Sequence, residues 1–170
     1  MNLRQALMGT AAGTIGTRAL NITTRGDMAL RGRPPSQVPA EVAGALARDV
    51  GIDLAMGLGG APDKLTHRKT GPGMLLGYLV GLGVGTVYGL IRPRLGNISK
   101  PVAGGAIGAA AMATSDAPSI ILGVTKPSEW GVAGWLADII PHYLYGLVTA
   151  IAFKAFTHRQ GLLVRLLKGR

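Results

Sequence analysis

Cysteine is missing from this chain, so disulfide staples and thiolate metal sites are excluded and the redox compartment is left open. Bulky aromatic residues are nearly as scarce, with two Phe, two Trp and four Tyr in 170 residues. A water-soluble core would have to be assembled mainly from Gly, Ala, Leu and Val, which is poor material for one. Charge is short as well, at 15% of residues against about 25% in ordinary soluble domains. Acids are the rarest charge, eight against 18 Lys and Arg, so the net charge is +10. That surplus does not point to nucleic acid, because no recognition module and no basic face interleaved with aromatics accompanies it. The cations sit instead at the edges of apolar runs, where membrane helices carry them: Arg92, Arg94 and Lys100 between two runs, and Arg159, Arg165, Lys168 and Arg170 after the last.

Glycine is abundant. The uncharged stretch GPGMLLGYLVGLGVGTVYGL, residues 71–90, places Gly73, Gly77, Gly81, Gly85 and Gly89 in four-residue steps. In water each glycine inside a helix costs roughly 0.5–1 kcal/mol relative to alanine and has no side chain to bury. In lipid the balance changes. The tails are as apolar as leucine, so helices associate by close packing, and small residues four apart let two backbones approach. Gly9 and Gly13, and Gly104 with Gly108, provide matching surfaces elsewhere in the chain. The same glycines match no phosphate-binding pattern, since GxxxxGK[ST] does not occur and the spacing from Gly81 to Gly89 is not GxGxxG.

About 20 predominantly apolar residues are needed to cross the roughly 30 Å hydrocarbon core. Four windows meet this expectation: residues 3–22, 72–91, 101–123 and 135–156. The first carries Arg4, Arg18 and several Thr. Its middle is Gly and Thr rather than leucine-rich, so it reads as a span and not as a cleaved signal peptide. The fold expected is all-α: a four-transmembrane-helix bundle forming one membrane domain over residues 1–160, with a basic tail at 161–170. A shift of 69 residues lays Pro72 on Pro141 and Gly77 on Gly146, which suggests two repeated helical hairpins.

The polar segment 24–70 contains SQVPAEVAGALARDVG, with Pro39 and Glu41 early and Val42, Leu46 and Val50 recurring. This predicts an amphipathic helix of about three turns at the membrane surface or over the bundle mouth, followed by a loose loop over 51–66. In the tail, leucines at 162, 163, 166 and 167 alternate with Arg165, Lys168 and Arg170. The expectation is a short interfacial helix whose cations contact anionic lipid, with both termini in the cytoplasm. Counting cations does not decide the orientation, because eight fall on each side.

The ionisable groups inside the spans are few, and such groups are usually paired or functional. Arg18 and Asp116 each lie 15 residues beyond the start of their windows, so parallel spans would bring them to one depth. Asp138 and His142, one turn apart on the fourth window, fall in the same half, with Tyr143 and Tyr145 nearby. Two arrangements follow. One is a structural clamp, Arg18 paired with Asp116 and His142 bonded to Asp138. The other is a wet vestibule exchanging protons or holding a small solute. No nucleophile with a paired base, metal set or cofactor motif is visible, and no cofactor or catalytic residue is assigned.

The Gly- and Thr-rich first window, the loop helix introduced by PPSQVPAEV, the second window ending GTVYGL and the fourth reading WLADIIPHYLYGLV together resemble the YagU-like family of small bacterial inner-membrane proteins. The resemblance implies a four-span, multi-pass protein of the bacterial inner membrane and supplies no catalytic residues. The combined expectation is a non-enzymatic structural or accessory subunit or homo-oligomer, with a small channel or proton-linked transporter as the alternative.

Overall fold

Prolines open three of the helices and glycine closes the first. Gly32, at φ +62°, takes the left-handed conformation that ends α1 (Leu3–Arg31), and Pro39 lies in the first turn of α2 (Val38–Asp49). Pro62 begins α3 (Pro62–Ile91), which passes into a 3-10 turn at Arg92–Arg94. Pro101 lies in the first turn of α4 (Lys100–Ile121), and a second 3-10 turn at Pro127–Glu129 leads into α5 (Gly131–Lys168). The computed structural model describes the backbone of residues 2–59 and 61–168, and side chains as far as residue 158. Among the described residues there are five α-helices and no strands.

Two of these helices are long and apolar enough to cross a membrane: α3 with its 3-10 turn, Pro62–Arg94, and α5 over Gly131–His158. By the same measure α1 and α4 fall short, since Thr and four arginines dilute α1 and Gly and Ala dominate α4. The helices also extend beyond the expected windows. α1 continues through residues 23–31, where Thr23 Oγ1 donates to the Ala19 carbonyl and Arg31 pairs with Asp27 one turn back. Residues 62–70, expected in part as loop, are the first turns of α3, and Pro72 is accommodated inside that helix. At the other end no break separates residues 161–168 from α5, so the tail continues that helix rather than forming its own.

The long helices pack as antiparallel neighbours, with α1 lying between α3 and α5 and α4 lying on α5. Glycine sets these distances. A Cβ on Gly85 would stand 2.7 Å from Gly13 Cα and 2.9 Å from Gly13 N, far inside ordinary contact distance. Gly9 meets Gly89 in the same way, and Gly81 lies against Thr17. On the second pair, a Cβ on Gly104 would be 2.8 Å from Leu147 Cα, and Gly108 lies against His142 and Tyr143. Hydroxyls pin the seams: Thr10 and Thr86 share a 2.6 Å hydrogen bond, and the Tyr145 hydroxyl donates to the Gly81 carbonyl at 2.6 Å.

The five-glycine stripe does not serve one partner. Gly77 has nothing within 4 Å of its would-be Cβ, and Gly73 meets Pro39 and Ala40 of α2 rather than another long helix. Residues four apart on an α-helix advance by about 400°, so such a stripe drifts by about 40° per step and about 160° from Gly89 to Gly73. One straight neighbour can cover only part of it. The proposed repeat is therefore imperfect, since Gly146 is wedged against Gly104 and Gly108 while its counterpart Gly77 is open.

α2 lies against the first half of α3 and touches α4. Its buried face is Ala40, Val42, Ala43, Gly44 and Ala45, whereas Leu46 and Val50 are exposed. Small residues win this face because α3 approaches closely, with the Lys69 stem packed over Gly44 and its Nζ 3.0 Å from Glu41 Oε2.

Candidate functional site

Asp138 and His142 project from one face of α5, four residues apart. His142 Nδ1 is 3.0 Å from Asp138 Oδ1 and 2.9 Å from the Asp138 carbonyl oxygen, so a proton on Nδ1 is donated within the helix. Both side chains are mostly enclosed, at 14% and 23% exposure. Pro141 lies between them and has no N–H for the Ala137 carbonyl, which opens the backbone ladder beside the pair.

α4 brings Asp116 to the same place, its carboxyl adjoining that of Asp138 and facing His142. Asp116 is held by its own helix: Ser115 Oγ lies 3.4 Å from its Oδ1, and Ser119 Oγ donates to its carbonyl at 2.8 Å. Those serines were not singled out in the sequence, although hydroxyls flanking the lone acid of an apolar window were the available signal. Asp138 Oδ2 is buried and has no hydrogen-bond donor. Two carboxyls in contact, one oxygen lacking a donor and an imidazole on the other side form an arrangement that can hold a proton. Among the described residues, no group of three His, Cys, Asp or Glu side chains is disposed to bind a metal ion.

The expected Arg18–Asp116 pair does not form. Arg18 is exposed and makes no ion pair among the described residues. Counting from span starts assumed that α1 and α4 begin level, but glycine packing sets the register. Gly16 packs on Tyr145 of the antiparallel α5, so Arg18 is level with about residue 143, five residues or about 7.5 Å short of Asp138, and Asp116 stands on α4, which packs on α5 and α3 rather than on α1. Tyr145 also leaves the cluster. At 1% exposure its ring fills the α1–α3–α5 layer and its hydroxyl points to α3. Tyr143 is partly exposed at 38%. The side chains of Arg165, Lys168 and Arg170, expected at the lipid surface, lie outside the described residues.

No protein-family model, curated protein or solved structure matches this chain. Its functional reading therefore rests on its own geometry.

Polar groups at the same end of the bundle tie the connecting segments down. Asp27 Oδ2 accepts hydrogen bonds from Arg31 at 2.7 Å and from Arg33 Nε at 2.5 Å, joining the end of α1 to the turn that follows. The Arg31 and Arg33 guanidiniums hold the Asp27 carboxyl below the usual carboxylate range, and Asp27 in turn raises Arg31. Trp130 Nε1 donates to Thr125 Oγ1 at 2.7 Å, and its ring lies 4.9 Å from that of Trp135 at the entry to α5.

Proposed function

We propose that this chain is a four-span, multi-pass protein of a bacterial inner membrane, with α1 and α4 crossing alongside α3 and α5 and both termini cytoplasmic. In this reading it is a non-enzymatic structural or accessory protein working as a homo-oligomer or as a subunit of a membrane complex, as the resemblance to the YagU-like family also implies. The observation that carries the proposal is the distribution of side-chain size. Leu3, Leu7, Ile15 and Ile22 of α1, Leu75 and Leu79 of α3, Val102 and Ile121 of α4 and Leu136, Ile140 and Ile151 of α5 are exposed. Glycine and alanine meanwhile occupy the helix seams. Water would drive the opposite arrangement, with large apolar residues inside. A bilayer exerts no such force between helices and favours small-residue contact.

The absence of native cysteine makes the test clean. Met56→Cys, Asn97→Cys and Ser128→Cys introduce single exposed thiols in three connections. In intact cells and inverted vesicles treated with a membrane-impermeant maleimide, positions 56 and 128 should label from one side and position 97 from the other. Labelling of 97 and 128 from the same side would mean that α4 does not cross, and the four-span reading would fail.

A second reading, a proton-linked channel or transporter, draws on the donorless Asp138 oxygen beside Asp116. Asp138→Asn should then abolish proton flux into vesicles containing the protein. Flux equal to that of protein-free vesicles in the parent would remove this reading.

A further inference from the structure

α3 and α4 are the two neighbouring long helices that do not zip together, and between them runs an apolar groove of about 610 Å³. One wall is α3 from Leu79 to Ile91, and the other is α4 from Val102 to Thr114. Its α3 wall is about 18 Å long, close to one leaflet's half of the roughly 30 Å hydrocarbon core. Along that length the lining is almost wholly aliphatic. At one end the chemistry changes: Arg92 closes the groove, the Tyr88 hydroxyl adjoins its guanidinium, and Arg94 and Lys100 stand at either end of the connection to α4. Arg92 gives one N–H to the Gly96 carbonyl and Arg94 one to the Leu90 carbonyl. Among the described residues no carboxylate pairs with Arg92, Arg94 or Lys100.

We propose that this groove is a binding site for one anionic phospholipid, an acyl chain lying between α3 and α4 and the phosphate held by Arg92 with Tyr88. The inference rests on the membrane reading above and adds a specific ligand to it. An apolar slot one leaflet deep, capped by cations that have no acidic partner among the described residues, is complementary to a chain-bearing phosphate. A transmembrane helix from a second copy would complement the slot but not the cap. The cationic cap is remote from the Asp116–Asp138–His142 cluster, which lies just past the other end of the groove, beyond Thr114.

The test uses the full chain in detergent, with phosphatidylglycerol and phosphatidylcholine as probes, read by native mass spectrometry and by tryptophan quenching with brominated lipid. Ala106, exposed on the groove wall, is enlarged in Ala106→Trp to occupy the slot. Arg92→Gln removes the cap charge. One phosphatidylglycerol should be retained in preference to phosphatidylcholine. Arg92→Gln should weaken it roughly fivefold, the loss of one cationic contact. Ala106→Trp should expel it, with the melting temperature kept and the indole at 106 quenched by bulk lipid alone. A variant lacking residues 161–170 should keep the bound lipid, which separates this site from the basic tail. Undiminished retention in Ala106→Trp, or an Ala106→Trp that instead breaks a dimer, would overturn the proposal. Failure of the underlying membrane reading looks different: the chain would then stay soluble without detergent.

Discussion

Two glycines of the same four-residue stripe on α3, eight residues apart, should respond to the same substitution with opposite sign. At Gly85 an alanine Cβ would lie 2.7 Å from Gly13 Cα and 2.6 Å from the Gly9 carbonyl oxygen, both backbone atoms with no rotamer to escape into. Ordinary carbon contact is about 3.5–4.0 Å, so α1 and α3 must separate by about 1 Å at that point. The separation loosens the neighbouring contacts at Gly9, Gly13 and Gly89. Overpacking of this kind costs about 1–3 kcal/mol, and the gain in helix propensity, about 0.8–1 kcal/mol, offsets only part of it. At Gly77 nothing lies within 4 Å, so only the propensity gain remains. Gly85→Ala should therefore unfold earlier than the parent in a denaturant titration of mixed micelles, and Gly77→Ala later. If both variants shift in the same direction, backbone contact at Gly85 is not what holds α1 to α3.

Further outcomes follow from other contacts. Tyr145→Phe deletes a buried 2.6 Å hydrogen bond to the Gly81 carbonyl and should lower stability by about 0.5–1.5 kcal/mol, read by thermal melting; an unchanged melt would mean the hydroxyl has another role. Arg18→Met should change stability by no more than about 0.5 kcal/mol and should not rescue Asp116→Leu, and rescue in the double variant would restore the pair that the helix packing separates. Because the Asp27 carboxyl is depressed in the folded state, its contribution is complete above its unfolded value of about 3.9 and is lost as pH falls through the lower folded one. Hydrogen exchange at the end of α1 should accelerate in that acid window, and Arg33→Gln should shift the window upward; an identical profile in the variant would remove Arg33 from the cause.

Much of the helical architecture was legible from local chemistry. The starts beside Pro39 and Pro101 act on the chain's own backbone, and three turns of α2 follow from PAEV and the apolar residues after it, whereas the run of α1 to Gly32 and the start of α3 at Pro62 were not legible. The Asp138–His142 contact was legible for the same reason, since residues four apart on a helix are neighbours whatever surrounds them. Small residues spaced by four at Gly9, Gly13, Gly104 and Gly108 likewise announced where backbones would meet.

The pairing of those surfaces was a different matter. Which part of the glycine stripe faces α1, which faces α2 and which faces nothing depends on helix drift against straight neighbours, a property of the assembled bundle. Choice of packing partner decided the polar cluster: sequence counting brought Arg18 to Asp116, but α4 packs on α5 and α3 rather than on α1, so that Asp116 meets Asp138 while Arg18 is exposed. The groove beside Arg92 arises because α3 and α4 are held apart by their separate bonds to α1 and α5. By itself the sequence determined helices, their small-residue faces and contacts within one turn, because these depend on residues close along the chain. Tertiary structure alone decided register, partner choice and the open slot, because they depend on how rigid helices fit one another in space.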